Sequence, residues 1–146
     1  MKRLIQRVSE ASVVVDAETV GKIGRGLLVF LGIHQDDTEA PIPWLVQKLI
    51  HLRIFCDDEG KMNRSVEDIG GEILVVSQFT LYGTCSKGRR PEFTQAAQGD
   101  AAQDLYEAFI ACVRRDFGSV ETGRFAAKMA VSLVNDGPVT LIMEKF

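Results

Sequence analysis

The stretch Ser77-Gln78-Phe79-Thr80 puts three hydrogen-bonding side chains at the end of an apolar run, Ile73-Leu74-Val75-Val76. Alternate residues of a strand share a face, so Gln78 and Thr80 are expected to line one pocket while Ser77 and Phe79 point the other way. The plainer alternative is a strand that turns polar where it leaves the core at a sheet edge. A threonine hydroxyl attacks a carbonyl only when a base takes its proton, and no histidine or lysine stands beside Thr80. The two histidines, His34 and His51, fall at a strand end and a helix end, where structural roles are expected. There is no GxSxG elbow, and Cys56, Cys85 and Cys112 have no local histidine partner, so serine- and cysteine-hydrolase readings fail on the same ground.

A second segment, Asn135-Asp136-Gly137-Pro138-Val139-Thr140, carries no nucleophile and no base. Its glycine and proline suit a tight turn, and the plain reading is a break between two strand arms. A third, Lys87-Gly88-Arg89-Arg90 before Pro91, is the best local basic cluster; on charge alone a solvated loop is the first reading. No His/Cys/Asp/Glu cluster has metal-ligand spacing, so no metal or other cofactor is expected. The glycines of Val20-Gly21-Lys22-Ile23-Gly24-Arg25-Gly26 run into a strand and open no helix. They are read as a hairpin turn with a bulge, not as a phosphate cradle.

The elements that must position these groups follow from apolar spacing. Strands are expected over Leu4–Val15, Leu27–Ile33, a short stretch near Arg53–Cys56, Ile73–Leu81 and Met129–Val134, with a further arm at Val139–Met143. One amphipathic helix runs through Ile42, Leu45, Val46, Leu49 and Ile50, with Asp36-Asp37-Thr38 supplying its cap. A second starts near Asp100 with Gln103 as capping-box partner, buries Leu105, Tyr106, Phe109, Ile110 and Val113, and ends by Gly118. Several strands, two separated helices and hairpin-like joins predict an α+β fold. It is read as a single domain over residues 1–146, mainly antiparallel sheet and barrel-like.

Apolar residues make up 46% and charged residues 25%, a globular balance, and no apolar run approaches membrane-spanning length, so no membrane is expected as a partner. Gln6, Arg7, Ser9 and Glu10 interrupt any signal-like stretch, and three scattered cysteines suit a reducing compartment; a cytoplasmic location is expected. A net charge of −3 argues against wrapping a long nucleic acid and leaves room only for local contacts.

Ser77-Gln78-Phe79-Thr80-Leu81 and Asn135-Asp136-Gly137-Pro138-Val139-Thr140 together resemble the two signature motifs of the D-aminoacyl-tRNA deacylase family. The similarity extends through Gln6-Arg7-Val8, Gly24–Val29, Gly60–Asn63, Lys87–Pro91 and Thr122–Ala127, nearly the whole chain; the loop Gly83-Thr84-Cys85-Ser86 departs from it. The resemblance implies a homodimer that hydrolyses the ester of D-aminoacyl-tRNAs, and of glycyl-tRNA, as a chirality-proofreading step. Gly137 and Pro138 of one subunit, joined by a cis bond, would enter the pocket of the other and exclude an L side chain. Backbone N–H groups near Gln78 and Phe79 would hold the oxyanion, and water, oriented by the neighbouring ribose 2′-hydroxyl, would attack. Thr80 would position the substrate, with covalent attack as the alternative. Phe125, Met129 and Arg7 would line or support the pocket, and Lys87, Arg89 and Arg90 would meet tRNA phosphates. The competing class is a non-catalytic binding module, which turnover would distinguish.

Overall fold

The computed structural model describes residues 1–145. Its spine is β1, Lys2–Val15, a 14-residue strand long enough to serve different neighbours along its length. The Ala11–Val15 half pairs antiparallel with β2, Glu18–Ile23, and the Lys2–Val8 half with β3, Gly26–Gly32. β2 and β3 therefore lie end to end along one side of β1 and do not pair with each other, which corrects the hairpin expected at Val20–Gly26. The glycines there answer a different demand. A Cβ on Gly26 would stand 1.9 Å from the Glu72 carbonyl oxygen, and one on Gly21 2.3 Å from that of Thr122, so only glycine admits these neighbouring backbones. The expected bulge is present: Val13 faces Gly21 and Val14 faces Thr19, so Val20 of β2 is the extra residue.

From β3 the chain crosses through α1, Ile42–Ile50, and a small hairpin of β4, Phe55–Cys56, with β5, Met62–Arg64. It returns as β6, Glu72–Ser77, parallel to β3. A second crossover through α2, Gly99–Phe117, delivers β7, Glu121–Thr122, parallel to β6. The sheet is thus mixed and not antiparallel throughout. Each parallel join carries a helix, as parallel strands require. The close approach at Gly21 and Thr122 brings β2 back against β7 and nearly closes the sheet.

Both faces of β3 and β6 are covered, which is why their sequences are continuous apolar runs. Leu27, Val29, Leu31, Ile73 and Val75 pack towards the two helices, whereas Leu28, Leu74 and Val76 pack inside the curl with Val8, Val13 and Ile23. The helices form where the spacing puts them and end as read, with the Gly118 N–H closing α2 on the Arg114 carbonyl. Their starts differ. Neither has a side-chain cap, Asp37 accepts the Met1 ammonium and the His34 N–H instead, and Gln103 turns to Glu107.

The last strand, β8, runs unbroken from Ala130 to Glu144 along the free side of β1. The break expected at Asn135–Pro138 is a bulge inside it: Gln6 faces Thr140 and Val8 faces Asn135, so the intervening β8 residues loop out of the ladder. No helix among the described residues is long and apolar enough to cross a membrane.

Candidate active site

A cleft of about 470 Å³ opens where β6 ends, walled by Ser77, Gln78 and Phe79, by Leu31 and Ile33, by the start of α2, and by the β7–β8 connection. The strand expected to continue to Leu81 stops at Ser77, and Phe79–Tyr82 form one turn of 3₁₀ helix. Polar and apolar residues alternate there as they would in a strand, so the pattern could not reveal the turn. The consequence is chemical. Gln78 N–H still bonds the Leu31 carbonyl at 2.9 Å, the last rung of the β3 ladder. The next two N–H groups, of Phe79 and Thr80, have no partner among the described residues, because a 3₁₀ turn leaves its first donors free. Of the two backbone N–H groups expected to act as donors, that of Gln78 is thus already engaged and that of Phe79 is free.

The expected face-sharing of Gln78 and Thr80 holds only in part. Gln78 lines the cleft with Ser77 and Phe79, whereas Thr80 lies outside its lining and receives the Gln78 side-chain amide on its hydroxyl. That acceptance leaves the Thr80 proton free to be donated. Neither histidine hydrogen-bonds Thr80: His34 Nδ1 takes the Asp36 N–H at 3.1 Å, and His51 Nδ1 lies 2.9 Å from the Gln47 carbonyl at the end of α1.

The opposite wall is Phe125 to Met129. Phe125 packs against the Tyr106 ring with centroids 5.7 Å apart, and the Tyr106 hydroxyl donates to the Val75 carbonyl at 3.1 Å. Burial pushes the Tyr106 phenol up to about 12, so it stays a donor at any physiological pH. Met129 fills the space that Gly123 leaves open, its sulfur 2.6 Å from where a Cβ would stand. Phe125 and Met129 were legible as site residues only through the resemblance. Gln98, Gly99 and Ala102, which α2 contributes from its first turn, were missed because small and neutral residues at a helix start carry no chemical signature.

Arg7, Gly137 and Pro138 are elsewhere, at the β8 bulge, and line no part of this chain's own cleft. The Gly137–Pro138 peptide is cis. Arg7, 6% exposed, anchors the bulge from below. Its Nε donates to the Asp136 carbonyl at 3.2 Å and faces the Asp136 carboxylate at 3.0 Å; its Nη atoms donate to the Ile54 carbonyl at 2.7 Å and the Gly137 carbonyl at 3.4 Å. Asn135 Nδ2 ties the two ends of the bulge together, donating to the Arg7 and Val139 carbonyls. Lys87, Arg89 and Arg90 are exposed on the loop before Pro91. Among the described residues no group of three or more His, Cys, Asp or Glu side chains could hold a metal ion.

Residues 4–144 match the family described as D-Tyr-tRNA(Tyr) deacylase, and the chain belongs to that family. Among its relatives, a D-aminoacyl-tRNA deacylase of Thermotoga petrophila is 57% identical over 99% of this chain and 97% of its own length. One of Pelobacter propionicus is 55% identical over 99% and 100%. A solved structure described as c-Myc DNA Unwinding Element Binding Protein superposes with a TM-score of 0.91 at 42% identity, covering 99% of both chains. A probable eukaryotic D-amino acid tRNA deacylase shares the fold, with a TM-score of 0.85 at 23% identity over 97% of both.

Proposed function

We propose that this protein hydrolyses the ester that links a D-amino acid to the 3′ end of tRNA, and glycyl-tRNA with it, acting as a homodimer. The observation that carries the chemistry is the pair of unpartnered N–H groups of Phe79 and Thr80 at the cleft edge. Water adds to the ester carbonyl, and the carbonyl oxygen takes the electron pair and rests on those donors. Each contact of this kind contributes roughly 2.7–4 kcal/mol to an acyl-transfer barrier. Collapse expels the ribose oxygen, which takes the proton that water lost, leaving free amino acid and tRNA. No side-chain base faces Thr80, so the vicinal ribose 2′-hydroxyl orients the water, and Thr80 donates a hydrogen bond to the substrate instead of attacking it.

Handedness is judged by backbone. Gly137 and Pro138 border open space in their own subunit, since a Cβ on Gly137 would meet nothing within 4 Å, so any pocket they enter belongs to a second copy. Their carbonyls, steadied by Arg7, would fall where an L side chain must lie and leave room for hydrogen. Glycine, having no side chain on either hand, passes the same test. The dimer reading is supported by β8, whose outer edge is unpaired among the described residues and which exposes Val134, Leu141 and Ile142. An uncovered edge of that length invites pairing. Lys87, Arg89 and Arg90 would meet phosphates at the acceptor end.

The test is turnover of D-tyrosyl-tRNA, L-tyrosyl-tRNA and glycyl-tRNA by purified protein in chelator. Many equivalents of D ester and glycyl ester should be discharged while the L ester survives. Stoichiometric protection of charged tRNA, or equal rates on both enantiomers, refutes the reading.

A further inference from the structure

A second concavity, of about 440 Å³, lies on the solvent face of α1 and is unrelated to the cleft at Ser77–Phe79. Trp44, Gln47, Lys48 and His51 recur there at helical spacing, and Arg53 follows at the helix exit. Trp44 is 50% exposed, an unusual position for the chain's single tryptophan, and the Lys145 ammonium stands 5.3 Å from its ring centroid. Lys48 and Arg53 have no carboxylate within ion-pairing distance among the described residues. Among the described residues no carboxylate lines the concavity; Asp116, which accepts from Gln47, is already paired with Arg115 at 2.8 Å, and Asp68, which feels Arg53 beyond ion-pairing distance, is hydrogen-bonded by Ser65.

An open indole flanked by cations without an ion pair among the described residues, on a protein of net charge −3, is complementary to one chemistry in particular. Single-stranded nucleic acid offers a flat base to stack and phosphates to pair at the same spacing. Trp44 and Leu52 are the only apolar side chains that line it among the described residues. Lys48, Arg53 and the nearby Lys145 ring them with one sign of charge, whereas the core of a protein–protein interface is depleted of charged residues, lysine included.

Its place in the fold says which part of a nucleic acid it would meet. Ala102 of α2 lines the catalytic cleft, whereas Asp116 of the same helix touches Gln47 of the concavity. At about 1.5 Å of rise per residue those points are roughly 21 Å apart along the helix. That is farther than a terminal aminoacyl-adenosine reaches.

We propose that Trp44, Lys48 and Arg53 form a second tRNA contact, which stacks an unpaired base and holds its flanking phosphates at a distance from the ester. The inference rests on the deacylase reading. Two substrates separate them: D-tyrosyl-tRNA, and D-tyrosyl-adenosine, which carries the ester but cannot reach α1. Trp44→Ala should raise KM for the tRNA about tenfold with kcat unchanged, and leave both constants for the adenosine ester as they were; Trp44→Phe should recover most of the loss. Lys48→Gln with Arg53→Gln, both exposed and without partners, should flatten the dependence of log KM on log salt by roughly 1.4–1.8, the counterion release of two phosphates. Unchanged tRNA KM in either variant overturns the proposal, as does an equal change on both substrates. Altered self-association in sedimentation with tRNA KM intact assigns the surface to a second copy and likewise overturns it. Failure of the parent protein on both esters would sink the deacylase reading itself.

Discussion

Replacing Arg7 by lysine tests the anchor of the β8 bulge and the filter together. The guanidinium serves three carbonyls at once, of Ile54 at 2.7 Å, Asp136 at 3.2 Å and Gly137 at 3.4 Å. An ammonium keeps the charge but not the fork, so it can retain only the shortest contact. A hydrogen bond to a charged donor contributes about 1.5–3 kcal/mol, but the two to carbonyls that are lost are long and those carbonyls can be rehydrated, and the Asp136 carboxylate, at 3.0 Å, is half exposed, so its ion pair contributes about 1 kcal/mol at most. The net loss should therefore be about 1–3 kcal/mol, or roughly 4–10 °C in Tm for a chain of this size. Selectivity should suffer more than activity. A filter worth about 4 kcal/mol gives a thousandfold preference, and a loosened Gly137 carbonyl should surrender at least a decade of it. The measurements are a thermal melt and initial rates on D- and L-tyrosyl-tRNA. A variant that loses stability while the D to L ratio holds would show that the Gly137 carbonyl judges nothing, and an unchanged melt would remove Arg7 as the anchor.

Arg3→Met should stabilise the protein by about 1–3 kcal/mol: the side chain is fully buried, its Nε and one Nη are unpartnered, and burial pushes the guanidinium down to about 10. A lower midpoint in urea would show that unseen partners satisfy those atoms. Asp116 is held at about 2, below its ordinary 3.8, first by the Arg115 hydrogen bond and then by that of Gln47. A depressed carboxylate lends stability that is complete above its unfolded value and vanishes as pH falls through the folded one. Asp116→Asn should thus melt lower than the parent at pH 7, with the gap closing between about pH 4 and 2; a gap that persists at the acid end contradicts that assignment. Ile142→Asp, at the most exposed of the large apolar side chains of β8 at 66%, should yield a folded monomer in sedimentation with deacylation lost, whereas an active monomer would end the cross-subunit reading.

What could be read from the sequence was whatever repeats locally. The faces of α1 and α2, the doubly buried runs Leu27–Leu31 and Ile73–Val76, and the stop at Gly118 each follow from spacing within a few residues. The parallel pairing of β3 with β6 depends on a crossover of about forty residues, and no local pattern announces it. Gly21 and Gly26 were misread for the same reason, since the backbones they admit, at Thr122 and Glu72, are remote in sequence. In the site, Ser77, Gln78 and Phe79 stood out because polar groups interrupt an apolar strand. Gly137 and Pro138 read on their own only as a turn and Arg7 bears no signal, so it was the resemblance that named all three as candidate site residues.

The bulge in β8 also bears on how this chain can change. Between the Gln6–Thr140 and Glu10–Val134 pairs, β1 advances four residues and β8 six, an excess of two. Each arm of β8 takes its facing from the β1 residue it pairs with, so residues that loop out between the arms leave both facings as they are. The pairing of β1 with β2 absorbs its single extra residue, Val20, in the same way. Length variation within Asp136–Val139 should therefore be tolerated by the sheet one residue at a time, by lineage or by design, provided that the flanking pairs and the buried Val139 are kept.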